Sequence, residues 1–395
     1  MVKGWDAEMF FTKDIDIFGT TLRNYRCCFS KPQWNHFNTY MNGLLLGERG
    51  EKNIQDIADN QIQGRHQSSL NRFLTKPKWN FRRVNAFRLK QSLSIRSGGV
   101  LVIDDTIVEK SGKQMDGVGF LFDHCKGKSV RCHDIVSTFY HNGGVHVPLY
   151  FAPYVKEEHA TPLDIWFKTK IQIALDLIQK SLLQITPEVV VFDAWYMSKE
   201  LVDFIHCRGL TWVSQAKSNR LIQVDDTWMS VSMYAKNLCT QVFHRIDKVI
   251  GEQRFKWIYE TTLVMKNIGV VRLVVLRERR NSKTCTFLVS NNTALEGVQV
   301  LEYYKKRWVI EVFYRDCKQH LGMGEYQVRR LDAVVIHLHL VVLAYTLLKN
   351  AWCNPSLNTL LNGVRSIGSV CRRLKRWVFN QLLGKLKEQR TTLSI

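Results

Sequence analysis

Four polar side chains recur at helical spacing in the segment YKKRWVIEVFYRDCK, residues 304–318. On one α-helix at about 100° per residue, a single narrow stripe holds Tyr304, Arg307, Glu311 and Lys318. The opposite, apolar face holds Val309, Ile310, Phe313 and Cys317. A lone carboxylate in such a stripe is either half of an exposed i,i+4 ion pair or a metal ligand whose basic and aromatic neighbours hold a polyanion.

Two further sets of carboxylates follow strand-like apolar runs. GGVLVIDDT leads into Asp104 and Asp105, and PEVVVFDAWY leads into Asp193. The pattern predicts two strands that end in aspartates, where an open α/β sheet places its ligand site, although such an aspartate can simply cap a turn. If these acids and Glu311 share one site, they repel each other unless cations neutralise them. All-oxygen ligands suit Mg²⁺ or Mn²⁺.

The charge of the chain narrows the class of partner. Its 395 residues include 56 Lys plus Arg against 35 Asp plus Glu, a net charge of +21. Such an excess favours nucleic acid or an anionic membrane surface. The longest apolar run, 333–348, contains two histidines and is shorter than the roughly 20 residues of a membrane span, so it predicts a buried helix. The N-terminus lacks the apolar core of a secretory signal, which predicts a protein that stays inside the cell.

Changes in composition and hydrophobic pattern along the chain predict its domain organisation. Residues 65–90 concentrate basic side chains around aromatic ones, which favours a helical DNA-binding module over a solvated basic helix pair. Residues 132–154 predict a hairpin that turns at Asn142, Gly143 and Gly144. The fold class is α/β, a mixed sheet flanked by helices and interrupted by a β-rich insertion. The predicted segments are a helical DNA-binding domain (1–95), a catalytic core in two parts (96–218 and 296–350), the β-rich insertion (219–295) and a basic helical tail (351–395).

These motifs resemble one family. Tyr304, Arg307, Glu311 and Lys318 reproduce the Y-(2)-R-(3)-E-(6)-K signature of the IS4-like transposases. The chain is similar to the related IS701 group over about residues 60–350. IDDT, 103–106, resembles the first catalytic strand of that family, and DAWY, 193–196, resembles its D-x-x-Y motif. The resemblance implies an RNase H-like core with a DDE triad of acids.

Carried over position by position, the resemblance assigns the site. The catalytic and metal-binding triad is Asp105, Asp193 and Glu311, with Asp105 preferred to Asp104 because the family's first aspartate directly precedes a threonine, here Thr106. The residues implied to contact the phosphates of the transposon ends are Tyr304, Arg307 and Lys318. The implied cofactor is a pair of Mg²⁺ ions, for which Mn²⁺ can substitute.

The sequence and the resemblance together predict a DNA transposase. It would nick the ends of an insertion sequence and join the freed 3′-hydroxyl to target DNA by two-metal phosphoryl transfer. Its partner would be double-stranded DNA, both ends and target, held by a homodimer. Two alternatives stay open: an RNase H-like nuclease without strand transfer, and an inactive regulator that only binds DNA. The intact acids at all three positions argue against the second alternative.

Overall fold

The computed structural model describes residues 22–60, 65–112, 114–123, 126–250, 253–351, 357, 360–364 and 366–392. The chain forms two compact units. The first comprises Met1–Ser92, Val108–Cys132 and Phe313–Ile395, and the second comprises Leu93–Ile107 and His133–Val312. The domain boundaries predicted from the sequence stay predictions.

The strands and helices of the described residues are numbered here in chain order. The strands are β1 (Val100–Glu109), β2 (Gly119–Asp123), β3 (Lys128–Asn142), β4 (Val145–Tyr154), β5 (Val189–Phe192), β6 (Thr211–Gln215), β7 (Leu221–Val224), β8 (Thr227–Ser230), β9 (His244–Ile250), β10 (Gln253–Met265), β11 (Gly269–Arg277) and β12 (Thr286–Ser290). The helices are α1 (Lys31–Leu46), α2 (Ile54–Asp59), α3 (Gln67–Thr75), α4 (Phe81–Ser92), α5 (Glu157–Ala160), α6 (Lys170–Leu182), α7 (Lys199–His206), α8 (Val231–Asn237), α9 (Gly297–Lys305), α10 (Trp308–His320), α11 (Leu331–Ala351) and α12 (Ile367–Thr392).

A mixed sheet forms the centre of the second unit. Its strand order is β3-β1-β5-β6-β12-β11-β10-β7-β8, with β4 paired to β3 and β9 paired to β10. β1, β5 and β6 are parallel neighbours, and the paired residues at their centre are fully buried. Parallel strands covered on both faces are expected to be continuously apolar, which explains VLVI and VVVF. The predicted mixed sheet with flanking helices is confirmed, and the strands of the insertion continue the same sheet through β12.

The predicted hairpin is confirmed. β3 and β4 pair antiparallel, with Asn142 opposite Val145, so the turn is Gly143-Gly144. Gly143 has φ 53°, a left-handed conformation that glycine adopts without steric cost. The hairpin also explains the glycine that precedes β1. Gly99 has φ 67°, and a Cβ there would lie 2.5 Å from the carbonyl oxygen of His141.

The apolar run of residues 333–348 is a buried helix of the first unit, as predicted. α11 spans 21 residues, long enough to cross a membrane, but 83% of its most apolar window is buried inside the structure. It packs against α1, α3, α4 and α12. The helix is longer than the apolar run because it continues into polar residues at both ends.

Two aromatic residues of the basic 65–90 segment, Phe73 and Trp79, are core residues. Phe73 and Trp79 are buried and stack with their ring centroids 4.9 Å apart. Arg88 is buried as well and donates to Asn85 and Thr346. These side chains hold the helices of the first unit together. The exposed basic residues of the segment are Arg65, Arg72, Lys76, Lys78, Arg82, Arg83 and Lys90.

His337 of α11 should make the first unit sensitive to acid. Its Nε2 lies 3.0 Å from the carbonyl oxygen of Gly322 and must donate to it, so Nδ1, 2.8 Å away, accepts from the Tyr40 hydroxyl. Burial lowers the pKa of His337 to about 3. In the unfolded chain this histidine has a pKa near 6.5, so unfolding at a pH between about 3 and 6.5 takes up one proton. We expect the free energy of unfolding to fall from pH 6.5 towards 3 by about 1.4 kcal/mol per pH unit for this group.

Urea unfolding of the wild type and His337→Gln between pH 6.5 and 4.5 measures this contribution. The variant should be less stable at pH 7. Its unfolding should take up one proton fewer, so its free energy of unfolding should depend on pH less steeply. Equal slopes for the two proteins would show that His337 takes up no proton on unfolding.

Candidate active site

Asp104 and Asp193 lie at the same level of neighbouring strands. The parallel register of β1 and β5 pairs Ile103 with Phe192, so the next residue on each segment is an aspartate. Side chains alternate between the faces of a strand, so Asp105 points to the face opposite to Asp104. The prediction that both strands end at their aspartates is wrong for the first one. β1 continues to Glu109, and its other edge pairs with β3.

A turn after β5 orients Asp193. Its Oδ1 accepts hydrogen bonds from the backbone N–H groups of Trp195 (2.9 Å) and Tyr196 (3.2 Å). The hydroxyl of Ser214, on β6, donates to its backbone carbonyl at 3.1 Å. Burial raises the pKa of Asp193 above its usual value, although these N–H groups oppose the change. Asp193 therefore caps a turn and also presents a fixed carboxylate at the sheet edge.

Arg307 joins the first of these acids to Glu311. Its Nη1 donates to Asp104 Oδ2 at 2.5 Å, and its Nη2 donates to Glu311 Oε1. Burial raises the pKa of Asp104 to about 8, while Arg307 acts in the opposite direction. The pKa of Arg307 is raised, chiefly by Asp104, despite its own burial. The i,i+4 ion pair of Arg307 and Glu311 that the sequence suggested is present. Arg307 also pairs with Asp104, so it links Glu311 to the sheet.

The prediction of one continuous helix over residues 304–318 is wrong. α9 ends at Lys305 and α10 begins at Trp308. In the turn between them the N–H of Arg307 bonds to the carbonyl of Tyr304 at 3.0 Å, and the N–H of Ile310 bonds to the carbonyl of Arg307 at 3.2 Å. These three-residue bonds wind the chain more tightly than an α-helix. The turn is where Arg307 reaches Asp104.

The signature residues consequently occupy different settings. Tyr304 is buried on α9, and its hydroxyl donates to Gln215 Oε1 at 2.9 Å. Glu311 lies in the first turn of α10 and Lys318 in the last. Ile310, Phe313 and Cys317 are buried, which confirms most of the predicted apolar face.

Asp105 has a separate set of partners on its own face of β1. Its Oδ2 lies 2.9 Å from Lys170 Nζ, and its Oδ1 accepts from the Tyr196 hydroxyl at 2.8 Å. Lys170 also forms an ion pair with Asp134 of β3. Sequence reasoning missed Lys170 and Asp134. Tyr196 was visible as part of DAWY, but an Asp in the middle of a strand and a Lys at a helix start give no distinctive pattern.

The donor atoms near Arg307 fit a hard divalent cation. Asp104, Asp193 and Glu311 offer only carboxylate oxygens, the donors that Mg²⁺ and Mn²⁺ prefer. Within the described ranges, no three His, Cys, Asp or Glu side chains are grouped closely enough for one ion. The guanidinium of Arg307 lies between Asp104 and Glu311 and supplies positive charge there.

The parallel strands β1 and β5 carry Asp104 and Asp193 side by side, and α10, which carries Glu311, lies beside them. This arrangement places the chain among α/β enzymes with an RNase H-like core. Its fold is similar to that of the piggyBac transposase in a cryo-EM structure of a synaptic complex with hairpin DNA. The TM-score is 0.52 at 10% sequence identity, and the match covers 91% of this chain and 73% of that one.

Sequence comparisons give the family. The model described as DDE superfamily endonuclease matches residues 24–237, more than half of the chain, and the model described as transposase DDE domain matches residues 168–347. The probable transposase for insertion sequence element IS701 of Microchaete diplosiphon is 22% identical over 297 residues, which are 73% of this chain and 75% of that protein. The chain belongs to the DDE superfamily and is a transposase of the IS701 and IS4-like group.

Proposed function

We propose that this transposase cleaves the ends of an insertion sequence and joins them to target DNA by metal-assisted phosphoryl transfer. The observation that carries the proposal is the placement of Asp104 level with Asp193, with Arg307 linking Asp104 to Glu311. Carboxylates that share one site require positive charge to offset their repulsion. Arg307 provides it in the protein alone.

Asp104, Asp193 and Glu311 are the residues that would hold divalent ions, Mg²⁺ or Mn²⁺. Bound ions of this kind activate the attacking oxygen and stabilise the leaving one. Asp104 takes the place of Asp105 because the register of β1 against β5 puts Asp104 beside Asp193 and because Asp104 bonds to Arg307, whereas Lys170 and Tyr196 bind both oxygens of Asp105. Asp105, the choice implied by the family resemblance, stays a competing prediction. Both predictions share Asp193 and Glu311.

We assign the DNA phosphates to the basic signature residues. Arg307 would exchange its bond to Glu311 for a phosphate oxygen, since charge-assisted bonds from a guanidinium suit carboxylate and phosphate equally. The hydroxyl of Tyr304 is already held by Gln215, so Tyr304 would contact only a phosphate close to the one that Arg307 binds. Lys318, at the far end of α10, would contact phosphates further along the strand.

Double-stranded DNA is the partner that fits the net charge of +21. We propose that it includes both the element ends and the target, and that a homodimer holds the two ends together. The proposed location is the cytoplasm, at the nucleoid. Binding to end DNA should fall steeply with added salt, because each phosphate contact releases counterions.

A strand-transfer assay with paired end fragments and a supercoiled target tests the proposed reaction. We expect joined products that require Mg²⁺ or Mn²⁺ and disappear with a chelator. Nicked ends without joining would identify a nuclease, and bound but uncut ends at all metal concentrations would identify a regulator.

A further inference from the structure

A chain of polar contacts links the two strand aspartates within the second unit. The N–H of Asp105 donates to Asp104 Oδ1 at 2.9 Å. Tyr196 touches the other two acids: its hydroxyl donates to Asp105 Oδ1 at 2.8 Å and its N–H donates to Asp193 Oδ1 at 3.2 Å. Asp104 and Asp193 are therefore connected through Asp105 and Tyr196 without any bound ligand.

Lys170 anchors this chain of contacts from the other side. Its ammonium lies between Asp105, 2.9 Å away, and Asp134, with which it also pairs. The side chains of Lys170, Asp105 and Asp134 are 16%, 20% and 0% exposed, so the cluster is largely shielded from solvent. A buried acid is costly without a partner, so the ammonium of Lys170 offsets part of the cost of burying the two acids.

Aromatic rings enclose the ammonium. Lys170 Nζ lies 5.0 Å from the ring centroid of Trp195 and 5.7 Å from that of Tyr154. Both distances are in the range of cation–π attraction. The ammonium is thus directed into the protein, where its partners are two acids and two rings, and a DNA phosphate would have to displace them.

We propose that Asp105, Lys170, Asp134 and Tyr196 are positioning residues that hold Asp104 and Asp193 in place for a divalent ion. This inference rests on the proposed function and adds that Asp105 and Lys170 act through other residues, without touching metal or DNA. Outer partners of metal-binding carboxylates commonly have this effect on affinity.

The mildest test removes one hydroxyl. Tyr196→Phe keeps the ring and the N–H bond to Asp193 but loses the bond to Asp105. We expect Mn²⁺, titrated into the full chain without DNA and followed by electron paramagnetic resonance, to bind about tenfold more weakly. Tyr140→Phe is the matched control, because this buried hydroxyl of the same unit donates only to the backbone carbonyls of Ser97 and Gly98 and receives a bond from Asn142. Its Mn²⁺ affinity should equal that of the wild type.

A charge series tests Lys170. Lys170→Met leaves two acids facing each other and should weaken Mn²⁺ binding by at least tenfold. Lys170→Arg should retain most of the affinity, and Lys170→Met combined with Asp134→Asn should recover part of it, since the second change removes one of the repelling charges. The Lys170→Met change should leave unaltered the slope of log binding constant against log salt for end DNA. A phosphate contact would lower that slope by about 0.9.

The outcomes separate this inference from the proposed function. Wild-type protein that binds no Mn²⁺ would contradict the proposed metal site itself, and the inference with it. Wild-type protein that binds Mn²⁺, alongside Tyr196→Phe and Lys170→Met variants that bind it equally well, would overturn the inference alone. So would a salt slope that falls by one phosphate contact in Lys170→Met. If Lys170→Met does not fold, as judged by thermal unfolding, Tyr196→Phe decides.

Discussion

Asp104→Asn should slow cleavage of element ends by about 10³-fold or more. The substitution keeps the size of the side chain and removes the carboxyl group that bonds to Arg307 and that would hold a metal ion. A bound metal ion stabilises the charges of the reaction by several kcal/mol, and each 1.36 kcal/mol lost costs a factor of ten in rate. Single-turnover cleavage of a labelled end fragment in excess Mg²⁺ measures the loss.

Asp105→Asn is the matched comparison for Asp104→Asn, because it makes the same chemical change one residue along the strand. We expect a smaller loss, about 10- to 100-fold, since Asp105 contacts Lys170 and Tyr196 on the other face of β1. The reverse order, with Asp105→Asn inactive and Asp104→Asn mildly affected, would restore Asp105 as the metal ligand.

Glu311→Gln should abolish cleavage while the protein still binds end DNA. The amide keeps the shape of the side chain but loses the negative charge that a divalent ion needs, and an effect of about 10³-fold on the rate is expected. Arg307 retains Asp104 as a partner in this variant, so the fold around the turn should persist. Cleavage of labelled ends and a gel-shift titration of the same fragment separate chemistry from binding.

Glu200→Gln provides the control for Glu311→Gln. Glu200 is an exposed acid on α7 of the same unit, and its neutralisation should change cleavage by less than about twofold. Unchanged cleavage by Glu311→Gln would remove this residue from the mechanism. Loss of DNA binding together with cleavage would show that Glu311 chiefly holds Arg307 in place.

The elements of the active site were predictable from sequence because their patterns are local. The apolar runs VLVI and VVVF specify buried parallel strands, and the paired glycines at 143 and 144 specify the hairpin turn. The buried face of α10 followed from helical spacing. Each of these signals lies within a few residues, so no knowledge of distant contacts was needed to detect it.

Other features depend on contacts between distant segments, which no local pattern encodes. The choice between Asp104 and Asp105 depends on the register of β1 against β5. The break between α9 and α10 accompanies the bond from Arg307 to Asp104, a residue about 200 positions earlier. A helical wheel drawn over residues 304–318 assumes an uninterrupted helix, so it put Tyr304 on an exposed stripe although the side chain is buried. In the basic 65–90 segment, the inward packing of Phe73 and Trp79 likewise depends on distant contacts, and the DNA-binding role of the segment stays a prediction.

The junction of β6 and β12 has a consequence for how such enzymes diversify. The chain leaves β6 after Gln215 and returns beside that strand at Leu288 of β12, where the N–H of Ala216 bonds to the carbonyl of Phe287 at 2.9 Å. The excursion therefore begins and ends at one point, and lengthening it costs little conformational free energy. Evolution can enlarge, trim or replace this excursion while the distance in space between Asp193 and Glu311 stays the same. The number of residues between these two acids is thus a poor measure of how closely two such enzymes are related.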